Sequence, residues 1–473
     1  MSALWTASDA AAATGGRAEG AWQATGVSID SRALARGDLF VALAGPNFDG
    51  HDFAADALAK GAAAAMVQRQ PMGVAVGAPL LVVADTMAAL EALGRAARER
   101  SRARIAAVTG SAGKTGVKEA IRLALSRPGD CAASEGSLNN HWGVPLSLAR
   151  MKPDSDYGVF EAGMNHPGEI ARLTALIRPH VALITNVETA HTEFFDSLEQ
   201  VADAKAEIFQ GVEPGGAAVL NRDSPFYERL AEAARRAGVA RIVSFGRDPR
   251  ADARLISAAE GAESSDVRAA ILGRDLAYRV GMPGPHWTVN SLAALAAVAC
   301  LGADAARGAE ALAELAPLPG RGQRRKIAIA GSAVTVIDES YNANPASMRA
   351  AIATLARAAT GRGGRRIAVL GDMRELGRES GALHAGLAGP LKDEGIDLVF
   401  TAGAEMAALA AALPRAMQGG HAATADEAAR AVIAALRPGD VVMVKGSHTS
   451  GMAKVVAALA ARAAAARAVP APC

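Results

Sequence analysis

A glycine-containing segment between an apolar run and a helical pattern limits what this chain can fold into. The apolar run Arg104 to Val108 is followed by Thr109-Gly110-Ser111-Ala112-Gly113-Lys114-Thr115, and a helical pattern comes next. Glycines let backbone N–H groups curl around phosphate oxygens, and the positive end of the following helix points at the same anion. Lys114 supplies a charge for the β- and γ-phosphates, and Thr115 supplies a hydroxyl for Mg²⁺. An ordinary strand-to-helix turn is the alternative, but the Lys-Thr pair at this position favours ATP binding.

The alternation of short apolar runs with helical patterns continues along the chain. Each run is followed by turn residues or by a helical stretch, which is typical of βαβ units and a parallel sheet. The strands predicted in this way are Tyr157 to Glu161, Val181 to Val187, Ala217 to Leu220, Val334 to Asp338, Arg366 to Leu370, Leu398 to Thr401 and Val441 to Lys445. We therefore predict an α/β fold with doubly wound parallel sheets.

The length and local composition predict three domains. A chain of 473 residues has room for three domains of roughly 150 residues each. We expect boundaries that give residues 1–85, 86–317 and 318–473, with the Pro/Gly/Arg-rich stretch from Leu318 to Arg325 as a hinge. Because aromatic residues make up only 4% of the chain, Ala, Val and Leu must fill the cores.

Charge and hydropathy exclude two classes of partner. The net charge of +2 gives no strong field to attract nucleic acid. No run reaches the 18–20 or so apolar residues of a spanning helix, and the longest candidate, Ser291 to Ala303, is too short. The N-terminus lacks a basic segment followed by an apolar one, and three widely spaced cysteines fit no disulfide or metal pattern. We therefore expect a cytoplasmic enzyme.

Two residues near strand ends are candidate metal ligands. Glu161 ends one predicted strand and His191 lies just after another, and ligands collect at the carboxyl ends of parallel strands. Together they could hold a second Mg²⁺, although Mg²⁺ prefers oxygen ligands and either residue could instead be an ion-pair partner or a loop residue. Lys205 lies in the helical run from Glu199 to Phe209, where a lone lysine is usually exposed.

These motifs together resemble the Mur ligases, ATP-dependent enzymes that build the peptide of peptidoglycan. The resemblance spans the chain and rests on the phosphate loop, Glu161-Ala162-Gly163-Met164-Asn165, Thr185-Asn186-Val187 with His191, Ala204-Lys205-Ala206-Glu207, Asp338-Glu339-Ser340-Tyr341-Asn342-Ala343-Asn344-Pro345, Leu370-Gly371-Asp372-Met373-Arg374-Glu375-Leu376-Gly377 and Val444-Lys445-Gly446-Ser447. It implies a three-domain architecture in which an N-terminal module binds the UDP-linked substrate, a central phosphate-loop domain binds ATP, and a Rossmann-like C-terminal domain closes over the site.

The resemblance also implies a role for each matching residue. Lys114 with the loop Thr109, Gly110, Ser111, Ala112, Gly113 and Thr115 would bind ATP phosphates, and Asn290, Arg321 and Asp338 would contact the nucleotide. Thr115, Glu161 and His191 would position Mg²⁺, in two sites, together with Lys205 carbamylated by CO₂. The implied catalytic residues are Lys114, Glu161, His191 and Lys205, and the implied substrate-binding residues are Ser31, Arg32, Asp49, His51, Asn139, Asn140, Asn342 and Asn344.

Within the family, the runs Asn139-Asn140 with Gly143-Val144-Pro145, Tyr341 to Pro345 and Gly371 to Gly377 are similar to the member that adds D-alanyl-D-alanine to a UDP-N-acetylmuramoyl-tripeptide. The enzyme is expected to work as a monomer. The alternatives are the third-residue-adding ligase, a folylpolyglutamate synthase-like enzyme, a non-catalytic ATP-binding protein on the same fold, and a phosphate-loop kinase. The chain departs from the family pattern at Gly116, Trp287, Glu339 and His448.

Overall fold

The N-terminal part of the chain folds around a small mixed sheet. The computed structural model describes residues 3–45, 48–188, 195, 197–329 and 332–467. The first elements are β1 (Trp5–Thr6), α1 (Ala7–Thr14), β2 (Arg17–Glu19), β3 (Gln23–Ala24), β4 (Gly26–Ser28), β5 (Asp38–Val41), α2 (Ala54–Ala59), β6 (Ala64–Val67), β7 (Leu80–Val82) and α3 (Thr86–Arg100). Strands in the order β2-β7-β6-β5-β4 form one sheet, in which only β2 is antiparallel to its neighbour.

The central part contains a nine-stranded sheet. Its elements are β8 (Arg104–Thr109), α4 (Lys114–Leu125), β9 (Cys131–Ala133), α5 (Gly143–Ala149), β10 (Tyr157–Glu161), α6 (Glu169–Ile177), β11 (Val181–Ile184), α7 (Leu198–Ala206), β12 (Ala217–Asn221), α8 (Tyr227–Arg236), β13 (Arg241–Gly246), β14 (Ala253–Glu260), β15 (Ser265–Ile271), β16 (Arg274–Val280), α9 (Pro285–Cys300) and α10 (Ala305–Ala311). The order is β16-β15-β14-β13-β12-β11-β8-β10-β9, and the strands from β9 to β14 are parallel. The antiparallel end formed by β15 and β16 was not predicted.

Alternation along β8 explains why helices cover both faces of this sheet. Ala106 and Val108 pack in one apolar cluster with residues of α4, α9 and α10, while Ile105 and Ala107 pack in a second cluster with residues of α5 to α8. Successive side chains of a strand point to opposite faces, so a continuous apolar strand buries both. The doubly wound α/β prediction is confirmed.

The C-terminal part has a six-stranded sheet with the order β17-β18-β22-β19-β20-β21. Its elements are β17 (Gln323–Ile329), β18 (Ser332–Glu339), α11 (Pro345–Ala356), β19 (Arg366–Gly371), α12 (Ser380–Ala385), α13 (Ala388–Asp393), β20 (Leu398–Ala402), α14 (Ala407–Ala412), β21 (Gln418–Ala422), α15 (Ala425–Ala435), β22 (Val441–Lys445) and α16 (Ala453–Arg467). Only β17 is antiparallel, and it includes residues 323–325 of the predicted hinge. No helix in the described ranges combines the length and apolarity that a membrane span requires.

Hydrogen bonds from Arg98 and Trp5 connect the N-terminal part to helices that flank the central sheet. Arg98 on α3 is 6% exposed, and its guanidinium donates to the carbonyls of Ile177 (2.9 Å) and Arg178 (2.8 Å) at the end of α6. The Trp5 indole donates to the Ala149 carbonyl at 2.9 Å. A guanidinium on the last carbonyls of a helix also complements the negative end of the helix dipole. The contact therefore has both hydrogen bonds and favourable electrostatics.

Candidate active site

The phosphate loop leaves β8 at Thr109 and enters α4 at Lys114 with two glycines at positive φ. Gly110 has φ 147° and Gly113 has φ 80°. A Cβ atom at Gly110 would lie 1.9 Å from the Thr185 hydroxyl oxygen, which is far inside van der Waals contact. Only glycine fits this conformation and this approach, and the loop can therefore turn sharply enough to present its N–H groups at the helix start.

Residues after β11 hold the loop from one side. The Asn186 side-chain oxygen accepts from the Ala112 N–H at 2.8 Å, and the Thr185 hydroxyl donates to the Ala112 carbonyl at 2.6 Å. The Ser111 hydroxyl donates to the Glu188 carbonyl at 3.0 Å. These bonds exist because Ile184 pairs with Thr109, so the ends of β11 and β8 lie side by side.

Lys114 lies over the loop that precedes it. Its Nζ donates to the Gly110 carbonyl at 2.7 Å. Burial lowers the pKa of Lys114 from its ordinary value, the nearby Glu161 carboxylate opposes this, and the Arg321 cation lowers the pKa further. The ammonium is therefore partly desolvated next to a site shaped for anions, and a phosphate would give it a second negative partner besides Glu161.

The Glu161 carboxylate lies at the end of β10 and connects two predicted site residues. It is 1% exposed, and Oε2 accepts from the Thr115 hydroxyl at 2.8 Å while Oε1 accepts from the Asn139 side-chain amide at 2.7 Å. Carboxylate and hydroxyl oxygens suit Mg²⁺, which usually needs only one or two carboxylates beside phosphate oxygens and water. In the described part of the chain no three His, Cys, Asp or Glu residues are grouped as a metal site would need. The Thr115 hydroxyl and the Glu161 carboxylate lie within hydrogen-bond distance of each other, and both are oxygen donors.

Lys205 is buried, contrary to what its place in a helix indicated. It lies in α7 with 2% exposure, and burial first and the Lys114 cation second lower its pKa well below the ordinary 10.5. Both effects favour the neutral amine, which is the form that reacts with CO₂. His191, the other predicted metal ligand, lies outside the described residues.

The nucleotide-contacting candidates approach the loop from α9 and from the C-terminal part. The Asn290 amide lies 3.3 Å from the position of a Cβ on Gly113. The Arg321 guanidinium lies over the Tyr341 ring at 4.1 Å from its centroid, and the Tyr341 hydroxyl contacts the Ser137 hydroxyl of the central part. The structure thus places Asn290 next to Gly113 of the loop and Arg321 close enough to Lys114 to lower its pKa.

Asp338 and the nearby asparagines are occupied by local hydrogen bonds. Asp338 is 6% exposed, and its carboxylate accepts from the Ser340 hydroxyl at 2.6 Å. Asn344 caps α11 by accepting from the Ser347 N–H at 2.8 Å. The Asn342 carbonyl accepts from the Lys445 amine at 2.8 Å. These bonds shape the turn after β18.

Three of the predicted substrate residues of the N-terminal part, Arg32, Asp49 and His51, are engaged in local contacts. His51 is 2% exposed, with Nδ1 at 2.6 Å from an Asp49 carboxylate oxygen and Nε2 accepting from the Gln68 N–H at 2.9 Å. The exposed Arg32 guanidinium forms an ion pair with Asp30 at 2.8 Å. Both ring nitrogens of His51 are therefore used to hold the turn, and the substrate contacts of this part stay a prediction.

Comparison with known proteins decides the family. Residues 23–104 match the model described as Mur ligase family, catalytic domain; residues 108–298 match the Mur ligase middle domain; and residues 320–448 match the Mur ligase, glutamate ligase domain. The Escherichia coli UDP-N-acetylmuramoyl-tripeptide–D-alanyl-D-alanine ligase is 38% identical over 92% of this chain and 93% of its own length.

The chain belongs to the Mur ligase family.

Solved structures agree with this assignment. A MurF structure from Acinetobacter baumannii superposes with a TM-score of 0.81 and 31% identity, covering 96% of this chain and 98% of that one. The MurF ligase of Thermotoga maritima, solved in complex with ADP, has a TM-score of 0.72 and 27% identity, covering 93% and 98%. The three-domain architecture and the use of ATP that the sequence predicted for this Mur ligase are confirmed.

One buried group of this Mur ligase was not predicted from the sequence. Lys118, one turn after Lys114 on α4, is fully buried, and its Nζ donates to the Gly136 carbonyl at 2.8 Å and to the Ser134 carbonyl. It therefore connects the helix of the phosphate loop to the segment that carries Asn139. The signal was its spacing of four from Lys114, which places both lysines on one helix face.

Proposed function

We propose that this Mur ligase adds D-alanyl-D-alanine to UDP-N-acetylmuramoyl-tripeptide, using ATP and forming ADP. The observation that carries the proposal is the full-length similarity to ligases with that name. The loop, Lys114, Glu161 and Arg321 supply the groups that this reaction needs in one place.

The proposed reaction has two steps, and residues of the phosphate loop stabilise the charge that develops in the first. The terminal carboxylate of the tripeptide attacks the γ-phosphorus of ATP, ADP leaves, and an acyl phosphate forms. The amine of D-alanyl-D-alanine attacks that carbonyl, phosphate leaves and the amide remains. Lys114 and the loop N–H groups stabilise the charge on the phosphoryl oxygens, and the desolvated setting of Lys114 strengthens this interaction.

We propose that Thr115 and Glu161 hold Mg²⁺, with His191 as a further ligand and two ions in all. The buried pair of oxygens supports this set. When bound, the ion neutralises charge on the β- and γ-phosphates. Glu161 also orients Asn139, since one carboxylate oxygen accepts from its amide.

We propose that Lys205 carries a carbamate, formed when its neutral amine adds to CO₂ and releases one proton. Burial and the low pKa of the amine support the proposal. Acidification protonates the amine, so the carbamate should form above the lowered pKa and disappear as the pH falls through it.

The carbamate predicts a requirement for CO₂. Stripping bicarbonate should lower the activity, more strongly at lower pH, and added bicarbonate should restore it. Lys205→Ala should lower kcat by about 10²- to 10³-fold at any bicarbonate concentration. The exposed Lys152→Ala is the matched control and should behave as the wild type. Full activity of Lys205→Ala would disprove the role.

We propose that each of the three parts binds one substrate. Residues 1–85 bind the UDP-substrate through Ser31, Arg32, Asp49 and His51, and residues 86–317 bind ATP. Residues 318–473 close over the nucleotide and bind D-alanyl-D-alanine, and Asn140, Asn342 and Asn344 lie near the peptides. A single chain supplies all of these groups, which supports a monomer. The cytoplasm, where ATP and the UDP-substrate occur, is the proposed location.

Phosphate release with each substrate omitted in turn tests the function. Release should require ATP, the UDP-tripeptide and, for sustained turnover, D-alanyl-D-alanine. Release that does not depend on the dipeptide and the UDP-tripeptide would overturn the proposal. Preference for a single amino acid over the dipeptide, with the UDP-dipeptide as acceptor, would instead indicate the third-residue-adding ligase.

A further inference from the structure

The aromatic ring of Tyr341 lies beneath the guanidinium of Arg321. The guanidinium carbon, Cζ, is 4.1 Å from the ring centroid, which is within the roughly 6 Å at which a ring face attracts a cation. In the described ranges, no carboxylate forms an ion pair with Arg321, and no acceptor takes a hydrogen bond from its guanidinium. The ring therefore holds the cation, while the N–H donors of the guanidinium stay available to an anion.

Backbone contacts keep the ring and the arginine together. The Tyr341 N–H donates to the Gly320 carbonyl at 3.1 Å. The Gly322 N–H donates to the Asp338 carbonyl at 2.8 Å, so both neighbours of Arg321 are bonded to the end of β18 and the turn that follows it. Gly320 has φ 73°, and a Cβ atom there would lie 2.9 Å from the Tyr341 Cβ. Glycine permits both this conformation and this approach, and the ring consequently stays beside the point from which the arginine side chain starts.

Two lysines add positive charge around Arg321. The Arg321 cation contributes, after burial, to the lowered pKa of both Lys114 and Lys445. Like charges this close repel each other, and a flexible arginine side chain would relieve the repulsion by turning into solvent. The negative face of an aromatic ring opposes this movement, because it attracts a cation.

We propose that Tyr341 is a positioning residue for the reaction, whose ring keeps the Arg321 guanidinium next to Lys114, where the phosphates of ATP would bind. This role rests on the proposed reaction and on the proposed contact between Arg321 and ATP. Tyr341 acts through the arginine and needs no contact of its own with a substrate. Its hydroxyl, which contacts the Ser137 hydroxyl, is not required for this role.

Phosphate release at varied ATP, with the UDP-tripeptide and D-alanyl-D-alanine saturating, tests the role. Tyr341→Leu should lower kcat/KM for ATP about tenfold, as expected for the loss of one partly desolvated cation–π contact. Tyr341→Phe keeps the ring face and should stay within about threefold of the wild type. Tyr227→Leu is the matched control, because it removes the ring that lies 4.5 Å from the Arg222 guanidinium on α8, and it should leave kcat/KM unchanged.

A double-mutant cycle separates positioning from general support of the fold. Arg321→Ala should lower kcat/KM for ATP more than Tyr341→Leu does, because it removes the charge itself. Adding Tyr341→Leu to Arg321→Ala should cause a further loss of no more than about twofold, since the ring then has no arginine to hold. A residue that only supports the fold would lower kcat/KM by the same factor in both backgrounds.

Three results would overturn the inference. They are kcat/KM within about twofold of the wild type in Tyr341→Leu, an equal loss in Tyr341→Phe, and losses that multiply in the cycle. Urea unfolding shows whether each variant is folded, and Tyr341→Met, which has a flexible side chain and no ring, replaces the leucine variant if that one does not fold. A wild type that releases no phosphate with all three substrates present would instead overturn the proposed function, and with it the role built on that function.

Discussion

Replacing Glu161 by Gln separates stability from activity at this site. The glutamine has the same shape, and its oxygen can accept from Asn139 at the present 2.7 Å. Its NH₂ group then faces Thr115 at 2.8 Å, and the hydroxyl can rotate to accept instead of donating. Both hydrogen bonds survive, but each loses its charge assistance, at a cost of about 1 kcal/mol. In return, the desolvation penalty of a carboxylate that is 1% exposed disappears. The two effects have opposite signs, so the free energy of unfolding should stay within about 1 kcal/mol.

Activity should respond very differently, because the substitution removes the negative charge and occupies the lone pair of Thr115. We expect kcat to fall by about 10²- to 10³-fold, the size of losing one preorganised charge or donor. Phosphate release over a Mg²⁺ titration and urea unfolding of the same samples measure both quantities. The exposed Glu310→Gln on α10 is the control. A kcat within threefold of the wild type would refute the reasoning, as would an unfolding free energy so reduced that it accounts for the loss.

Two further predictions concern groups outside the reacting atoms. Lys118→Met should leave the carbonyls of Ser134 and Gly136 without their buried donor, which should lower the free energy of unfolding by about 3 kcal/mol. The substitution should also raise KM for the UDP-substrate more than KM for ATP. Unchanged KM values would contradict this prediction. Burial and then neighbouring arginines lower the pKa of His180 to about 4, from 6.5, and its Nδ1 accepts from the Ile105 N–H. The neutral His180 ring therefore contributes stability that is complete above pH 6.5 and is lost as the pH falls to 4, by at most about 3 kcal/mol. In urea unfolding at these two pH values, the free energy of unfolding of His180→Asn should fall less than that of the wild type. An equal fall in both proteins would be evidence against the role of His180.

The parallel strands were predictable because both of their faces are buried. Tyr157–Glu161 and Val441–Lys445 match their predicted bounds, since each is a continuous apolar run that ends in turn residues. The strands β14 to β16, which end the sheet with two antiparallel pairings, were missed although β15 alternates buried and more exposed residues along Ser265–Ile271. That alternation is typical of a sheet with one solvated face, whereas the predicted strands are runs buried on both faces.

The site was predictable where its chemistry is local and unpredictable where it depends on packing. The phosphate loop is contiguous, so its glycines and Lys114 could be identified from seven residues. The burial of Lys205 and Lys118 depends on which helix face meets the sheet, and single lysines in helices are exposed far more often than buried. The indole of Trp287 fills the space that a side chain at Gly116 would need, and only the structure reveals this pairing of residues far apart in the sequence.

The attachment of α3 and Trp5 to the central sheet has a consequence for inhibitor design. Because Arg98 and Trp5 hold carbonyls of Ile177, Arg178 and Ala149, the N-terminal part and the phosphate loop keep a fixed separation. If the N-terminal part binds the uridine group as proposed, a compound that joins a uridine-like group to a phosphate mimic would meet two anchor points held at that separation. Its affinity should peak sharply at one linker length and fall on either side, as effective concentration does when the span between two sites is fixed.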